Sequence, residues 1–433
     1  MFAYYFEMAL RSFRRSPGLT VLMVLTIAIG VAACMTTLTV FHVLSGDPIP
    51  HKSAQLFNVQ LAADAQGDHK EDDEPTFQLT RLDAQTLLAE KRGDRQVMMS
   101  GGGVAIEPEG QRAILTSARY SSADFFPMFE VPMLYGTGWT AADDQNAARV
   151  MVISEEINER VFGGADSRGK ILRVRDKDFR IIGVAKRWRP VPHFYDLSIG
   201  DFRNSEDVYL PFSTAMELKF GTMGNFSCWG THAPNTSRDV GASCAWIQYW
   251  VELGTPQKAA SYLQYLKDYA EAQRRAGRFE RPSSLARIWS VMDWLAHRQV
   301  VPKDVQLQVW LAFGFLLVCL VNTVGLLLAK SLRRSGEIGV RRALGAPRRA
   351  IFWQFLVEAG SLGLAGGLLG LALTAIGLWA VRQGSSSFAN YVQLDGAMLG
   401  TTLGLALMAS LAAGLLPAWR ACQVMPALQL KTQ

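Results

Sequence analysis

The residues with the clearest claim to chemistry are Gly164-Ala165-Asp166-Ser167-Arg168-Gly169-Lys170, which match G-x-x-x-x-G-K. That pattern cradles nucleotide phosphates on backbone amides, but it needs Ser or Thr next, a strand before it and a helix after it. Here Ile171 follows, residues 155–162 read as a helix and residues 170–174 as a strand. The stretch is therefore a helix-to-strand turn, and no nucleotide is expected there. There is no H-E-x-x-H, no G-x-S-x-G and no metal-spaced histidine cluster among the 6 histidines, and Asp143-Asp144 reads as a turn cap. Neither a catalytic constellation nor a metal site is expected.

Two cysteines carry the next candidate chemistry. Cys228 and Cys244 flank a loop rich in Gly, Pro, Asn and Ser, in the part of the chain assigned below to the outside of the cell. Disulfides persist there, so these two form a disulfide candidate. A metal site with His232 is the competing idea, and three ligands without a fourth make a poor zinc pattern. Asn225 and Asn235 begin sequons that matter only in a glycosylating host. Cys34 and Cys319 fall within apolar runs and read as small apolar residues, while Cys422 is expected reduced.

Glu358 is the remaining group of interest, with Gln354 one turn before it in an apolar segment. A carboxylate at that depth faces protein instead of lipid, and is a functional candidate by default. The competing reading is a simple pairing with a basic or polar group near the inner interface. A proton relay would need further acids at membrane depth, and none is seen.

These groups sit on elements that hydropathy defines. Apolar runs occupy 18–44, 305–329, 355–381 and 397–416, the third carrying Glu358. Each meets the roughly 20 residues needed to cross about 30 Å of hydrocarbon. Transmembrane helices are drawn at 18–45, 305–330, 351–382 and 396–419. The apolar core of the first is too long for a cleaved signal peptide and reads as an uncleaved anchor. Arg11, Arg14 and Arg15 precede the first span; Lys330, Arg333, Arg334, Arg341, Arg342, Arg348 and Arg349 lie between the second and third; Arg420 follows the fourth. The positive-inside rule then places both termini in the cytoplasm and residues 46–304 outside, with a short outer loop at 383–395 and a cytoplasmic tail at 420–433. Trp310 and Trp379 fall near the outer side and Trp353 and Trp419 near the inner, as an aromatic belt requires. The pI of about 9.1 follows from this distribution, which lacks the single basic face that nucleic-acid binding needs.

Residues 1–17 read as an amphipathic helix lying on the inner leaflet, with Phe2, Tyr5, Phe6, Ala9, Leu10 and Phe13 at helical spacing. Within 331–350, Val340, Ala343 and Leu344 share one helical face, Glu337 can pair with Arg341 in the favoured order, Gly345 supplies a left-handed stop and Pro347 starts the next helix. Gly363, Gly366, Gly367 and Gly370 in the third span, and Gly400 and Gly404 in the fourth, give small residues for close helix packing.

The fold class expected is an integral membrane α-helical protein of four transmembrane helices, with a large α+β extracytoplasmic domain between helices 1 and 2. Strands are read at 150–154, 170–174, 179–184, 207–212 and 246–253. Helices are read at 155–162, 258–275 and 283–300, the last as a stalk leading into the membrane. Residues 66–74 read as a mobile acidic loop.

The stretch from Arg334 to Glu358, with Glu337-Ile338-Gly339-Val340-Arg341-Arg342-Ala343-Leu344-Gly345-Ala346 and Gln354-Phe355-Leu356-Val357-Glu358, resembles the signature of FtsX/MacB-like permeases of ABC transporters, the type VII or mechanotransmission class. The Gly-rich third span and the tail from Gly414 through Pro417, Arg420 and Pro426 resemble it too. Tyr120-Ser121-Ser122-Ala123-Asp124 and residues 150–184 look like the periplasmic core of the MacB and lipoprotein-releasing subfamilies, while 221–245 matches no part of the pattern. The resemblance implies a bacterial inner-membrane protein, a homo- or heterodimer of such chains, and a cytoplasmic ABC ATPase partner. It makes the helix after the second span the coupling element, assigned to Arg333, Arg334, Glu337, Ile338, Gly339, Arg341, Arg342, Leu344 and Gly345. The chain starts a few turns before its first span, so the ATPase is expected on a separate polypeptide. No cofactor is expected on this chain, ATP and magnesium being held by the partner. Membrane lipids are further partners, as are a periplasmic adaptor and an outer-membrane channel in some members. The implied function is export or extraction of a substrate such as an antibiotic, peptide or lipoprotein. A non-transport regulator that relays ATPase state to a periplasmic enzyme is the alternative. A membrane-anchored sensor is disfavoured, because it needs no coupling helix.

Overall fold

The structure is a computed structural model and describes residues 2–65, 67, 74–230, 236–384, 391 and 396–422. In chain order, α1 (Phe2–Arg15) and α2 (Pro17–Ser45) precede β1 (Leu56–Gln60), β2 (Leu79–Thr80), α3 (Arg81–Glu90), β3 (Arg95–Glu107), β4 (Ile114–Ser121), α4 (Phe125–Met128), β5 (Met133–Gly136), α5 (Ala141–Gln145), β6 (Val150–Ser154), α6 (Glu155–Phe162), β7 (Ile171–Val174) and β8 (Lys177–Ala185). The same domain continues through β9 (Val208–Pro211), α7 (Phe212–Glu217), β10 (Thr222–Met223), β11 (Ser227–Cys228), β12 (Cys244–Glu252), α8 (Pro256–Arg275), β13 (Arg287–Ser290) and α9 (Val291–His297). Then come α10 (Lys303–Arg333), α11 (Ser335–Ala343), α12 (Arg348–Gln383) and α13 (Gly396–Cys422). The chain divides into a helical unit, Met1–Ser45 with Val301–Gln433, and a large domain, Gly46–Val300.

The large domain is built on one mixed sheet with the strand order β13-β1-β12-β3-β4-β9-β6-β8-β5. β9 runs parallel to β4 and antiparallel to β6, while β6 runs parallel to β8. Local signals explain the β6–α6–β7–β8 run. Ser154 caps α6 by accepting from the Ile157 amide, and Gly163 closes it at φ 69°. Arg175 and Asp176, both left-handed, make the two-residue turn between β7 and β8. All nine residues of β12 are buried, because it pairs with β1 on one side and β3 on the other and is covered on both faces.

Residues 283–300 do not form the expected helix. Ile288 and Trp289 instead pair with Val59 and Asn58 of β1, and only after Ser290, whose hydroxyl caps it, does a short helix begin. That helix ends at His297, Gln299 turns left-handed, and Pro302 precedes α10, so no continuous helical stalk runs from the large domain into the next helix. The β-forming Ile-Trp pair and a ready edge on β1 outweigh the helical composition. Of the acidic loop at 66–74, all but Gly67 and Glu74 lie outside the described residues.

Four helices of the other unit, α2, α10, α12 and α13, are long and apolar enough to cross a membrane. Met23, Ile27, Val31 and Met35 on one stripe of α2 pack with Leu316, Leu327, Ala359, Leu362 and Ala406. Trp310, Trp353, Trp379 and Trp419 are all exposed on the outside of this unit.

Candidate functional site

The site is at the basic end of the helical unit, where α1 stops, α10 passes into α11 and α12 starts. Arg334 is the joint: it closes α10 and stands as N-cap of α11. Glu337 is the hub of α11. Its Oε1 accepts from Arg341 Nη2 at 2.7 Å, one turn on, and its Oε2 accepts from Arg15 Nη1 at 3.3 Å. Arg341 Nη1 also reaches Gln354 Oε1 at 3.4 Å. Arg342 Nη1 donates to the Cys422 carbonyl at 3.1 Å, tying α11 to the end of α13.

Burial gives α11 its orientation. Ile338 and Gly339 face inward, and Ile338 packs with Ile351, Phe355, Ala418 and Ala421. Val340 and Leu344 face out, 51% and 83% exposed, and Ala343 and Arg333 are exposed as well. Gly345 follows at φ +98°, a conformation that L side chains rarely adopt, and stops the helix. A groove of about 550 Å³ runs between α1 and this corner, lined by Tyr4, Tyr5, Met8, Leu344, Ile351 and Gln354 among others.

One layer deeper lies Glu358, 2% exposed. Lys330 Nζ is 2.6 Å from its Oε1, and Arg334 Nη1 is 3.7 Å from its Oε2. The Ser12 hydroxyl donates to Oε1 at 2.6 Å. Lys330 Nζ also lies over the Phe13 ring, 5.1 Å from its centre. Glu358 is thus paired within a cluster drawn from α1, α10 and α12, which fits the simpler of the two readings that a buried carboxylate allows. These groups offer neither a nucleophile nor a free base. What they supply is a stiff, charge-cross-linked corner joining five helix segments.

The glycines divide. A Cβ on Gly363 would collide with Ser410 of α13, one on Gly366 would lie 2.8 Å from Ile27 Cγ2 of α2, and one on Gly367 would lie 2.9 Å from the Ala406 Cβ. Gly370 meets the Ala28 carbonyl at 3.3 Å on the same basis. These four let α12 approach both neighbours. Among the described residues nothing lies within 4 Å of a Cβ placed on Gly400 or Gly404, so neither glycine packs against another described helix; α13 meets α12 with the face carrying Ala406 and Ser410. Gly30 and Gly414 make close contacts that spacing alone did not mark, Gly30 against Cys319 and Gly414 against Ala359.

In the large domain, Cys228 and Cys244 are bonded to each other across the β11–β12 pair. His232 lies outside the described residues, as does Asn235. Among the described residues, no three His, Cys, Asp or Glu side chains are grouped to hold a metal. Gly164 and Gly169 are left-handed, and Lys170 turns back over the Phe162 ring at 4.8 Å, so the phosphate-loop look-alike is a closed turn between α6 and β7.

A buried charge cluster in this domain has no counterpart in the sequence reading. The Arg119 guanidinium on β4 pairs with Asp196 and Glu206, all three shielded from solvent, and Tyr195 OH donates to Glu206 Oε2 at 2.8 Å. Burial alone would raise the Glu206 pKa, but Arg119 and His193 outweigh it and hold the carboxyl well below the usual range. The partners are 77 and 87 residues from Arg119, so folding brings them together, Glu206 lying just before β9, which pairs with β4. The one charged residue in β4, Arg119, was the available signal.

Residues 20–256 match the MacB-like periplasmic core domain, and residues 309–426 match the FtsX-like permease C-terminal domain. Similar curated proteins include the pyoverdine export ATP-binding/permease protein PvdT of Pseudomonas aeruginosa, 26% identical over 341 residues, covering 78% of this chain and 46% of that protein. The macrolide export ATP-binding/permease protein MacB of Chlorobaculum tepidum is 23% identical over 315 residues, covering 72% and 43%. The uncharacterized ABC transporter permease YvrN of Bacillus subtilis is 26% identical over 252 residues, covering 57% and 54%. The chain thus spans about half the length of these relatives. Among solved structures, the periplasmic region of MacB from Actinobacillus actinomycetemcomitans aligns with 56% of this chain and 92% of its own, at 14% identity and a TM-score of 0.35.

Proposed function

The chain belongs to the ABC-transporter permeases of the FtsX and MacB type, and from that premise we propose that it is the membrane subunit through which a cytoplasmic ATPase moves the large domain. Both termini and α11 then face the cytoplasm, and Gly46–Val300 faces outward. A second permease chain completes the assembly. ATP and magnesium bind the partner ATPase, and this chain hydrolyses nothing itself. The movement exports or extracts a substrate of the antibiotic, peptide or lipoprotein class. Relatives named for pyoverdine and macrolide export support the outward direction.

The observation that carries this reading is α11. It is short, fixed at its root by Ile338 and Arg342, stiffened by the Glu337 hub, and it presents Val340 and Leu344 outward. A helix so anchored transmits a push instead of bending. Leu344 forms the C-cap, so a proline that breaks the helix belongs at Val340, in its interior. Val340→Pro costs about 3 kcal/mol of helix stability, and Leu344→Glu alters only the exposed contact. Both variants are expected to insert normally, to lose co-purification with the ATPase, and to abolish nucleotide-driven transport. Normal ATPase binding and transport in Val340→Pro would reduce residues 333–347 to a topology signal. Magnesium-dependent ATP hydrolysis by this polypeptide without a partner would overturn its assignment as a non-enzymatic subunit.

A further inference from the structure

Ser12 is where α1 enters the charge cluster. Arg11, Arg14 and Arg15 around it are exposed, whereas Ser12 is 1% exposed. Its Oγ accepts from Arg334 Nη1 at 2.7 Å and donates to Glu358 Oε1 at 2.6 Å. A hydroxyl is among the few side-chain groups that can do both at once. One atom of α1 therefore bridges the α10–α11 joint and α12. Arg15 makes a second link to the hub at Glu337, and Arg341 Nη1 stands 3.9 Å from Met8 Sδ.

Arg334 is poised between two carboxylates. Its Nη1 is 3.7 Å from Glu358 Oε2, and its Nε is 4.0 Å from Glu337 Oε2. Neither is a full contact, and among the described residues its one close side-chain partner is Ser12. A sub-ångström shift of α11 would commit the guanidinium to one carboxylate or the other. Packed elements respond to such shifts by switching between discrete arrangements. Lys330 Nζ stands 2.6 Å from Glu358 Oε1, so Glu358 has a basic partner besides Arg334.

We propose that α1 is a moving part of the transmission, latched to it through Ser12. Displacement of α11 carries Arg334 toward Glu337 or Glu358, and the Ser12 hydroxyl passes that choice to α1. Ser12 acts through Arg334 and Glu358 and is a positioning residue. The proposal rests on the coupling role of α11 argued above.

The test uses the full chain in proteoliposomes with the ATPase that co-purifies with it. Two quantities are read together: the ATP hydrolysis rate, and the ATP-dependent change in hydrogen exchange of Gly46–Val300. Ser12→Ala removes the bridge but keeps the Lys330–Glu358 pair; Ser12→Thr keeps the hydroxyl. Ser12→Ala is expected to hydrolyse ATP within twofold of the wild type while its ATP-dependent exchange response falls at least tenfold, and Ser12→Thr is expected to restore the response. A wild-type response in Ser12→Ala overturns the latch and leaves the coupling role of α11 standing. Parallel loss of ATPase binding, hydrolysis and response makes the contact merely structural and overturns it too. Failure of any ATPase to bind the wild-type chain overturns the transporter reading itself, and the latch with it.

Discussion

Lys330 Nζ on α10 lies 2.6 Å from Glu358 Oε1 on α12, and both side chains are withdrawn from solvent. Removing Glu358 leaves the buried Lys330 ammonium without its carboxylate, and removing Lys330 leaves Glu358 with Ser12 and the more distant Arg334. Lys330→Met or Glu358→Gln alone is expected to destabilise the chain by about 3–5 kcal/mol. The double variant should cost clearly less than the sum, since it removes both charges. Unfolding in detergent of all four members of the cycle measures the coupling. Strict additivity would mean that the two groups do not interact.

The two sets of glycines should respond differently. Gly363 has Ser410 against it, so Gly363→Val forces α12 and α13 apart at about 1–3 kcal/mol. Gly404 has open space, so Gly404→Val should leave the stability of the isolated chain within about 0.5 kcal/mol of wild type. Thermal unfolding of the detergent-solubilised variants distinguishes them, and equal losses would contradict the packing described.

Cys228 and Cys244, 16 residues apart, are expected to remain joined in protein isolated without reductant. In the chain-entropy view such a loop is worth about 3 kcal/mol. The Cys228→Ser and Cys244→Ser pair should lower stability by that order. Peptide mapping by mass spectrometry under non-reducing conditions reads the bond directly, and finding both thiols free would reject it.

The Arg119–Glu206 cluster predicts an acid dependence. The folded-state pKa of Glu206 is depressed, so its contribution is fully present above the unfolded carboxylate value, about 4.3. It fades as the pH drops below that value and is gone beneath the depressed one. Glu206→Gln is thus expected to cost several kcal/mol at neutral pH and progressively less toward pH 2. Tryptophan fluorescence of wild type and variant across this range checks the sign. A gap that widened on acidification would show that the carboxylate is not the stabilising form.

Much of this architecture is written locally. The four long apolar helices are legible from hydropathy, and β6, α6, β7 and β8 from an N-cap serine, a closing glycine and a two-residue turn. What escapes is non-local. β3 contains Ser100-Gly101-Gly102-Gly103 and lacks the alternation that marks a strand, yet it sits mid-sheet with strands on both sides. β13 has only four residues and depends on the edge of β1. In the helical unit, the suspicion attached to Glu358 is legible, but its partners are not: Ser12 is 346 residues away and only folding brings it near. The spacing of Gly400 and Gly404 matches that of packed glycines, and only the choice of helix face leaves them without a packed neighbour among the described residues.

The chain enters the large domain's sheet at β1 and leaves it at β13, and these strands are antiparallel neighbours, with Phe57 opposite Ser290. The arriving and departing ends are therefore side by side. Pulling them apart would unzip the ladder one rung at a time, the direction in which a hydrogen-bonded pair resists least. Moving them together leaves every rung unloaded. The domain is thus fitted to be carried like a flag on a double halyard, displaced whole, and poorly fitted to be stretched between two anchors.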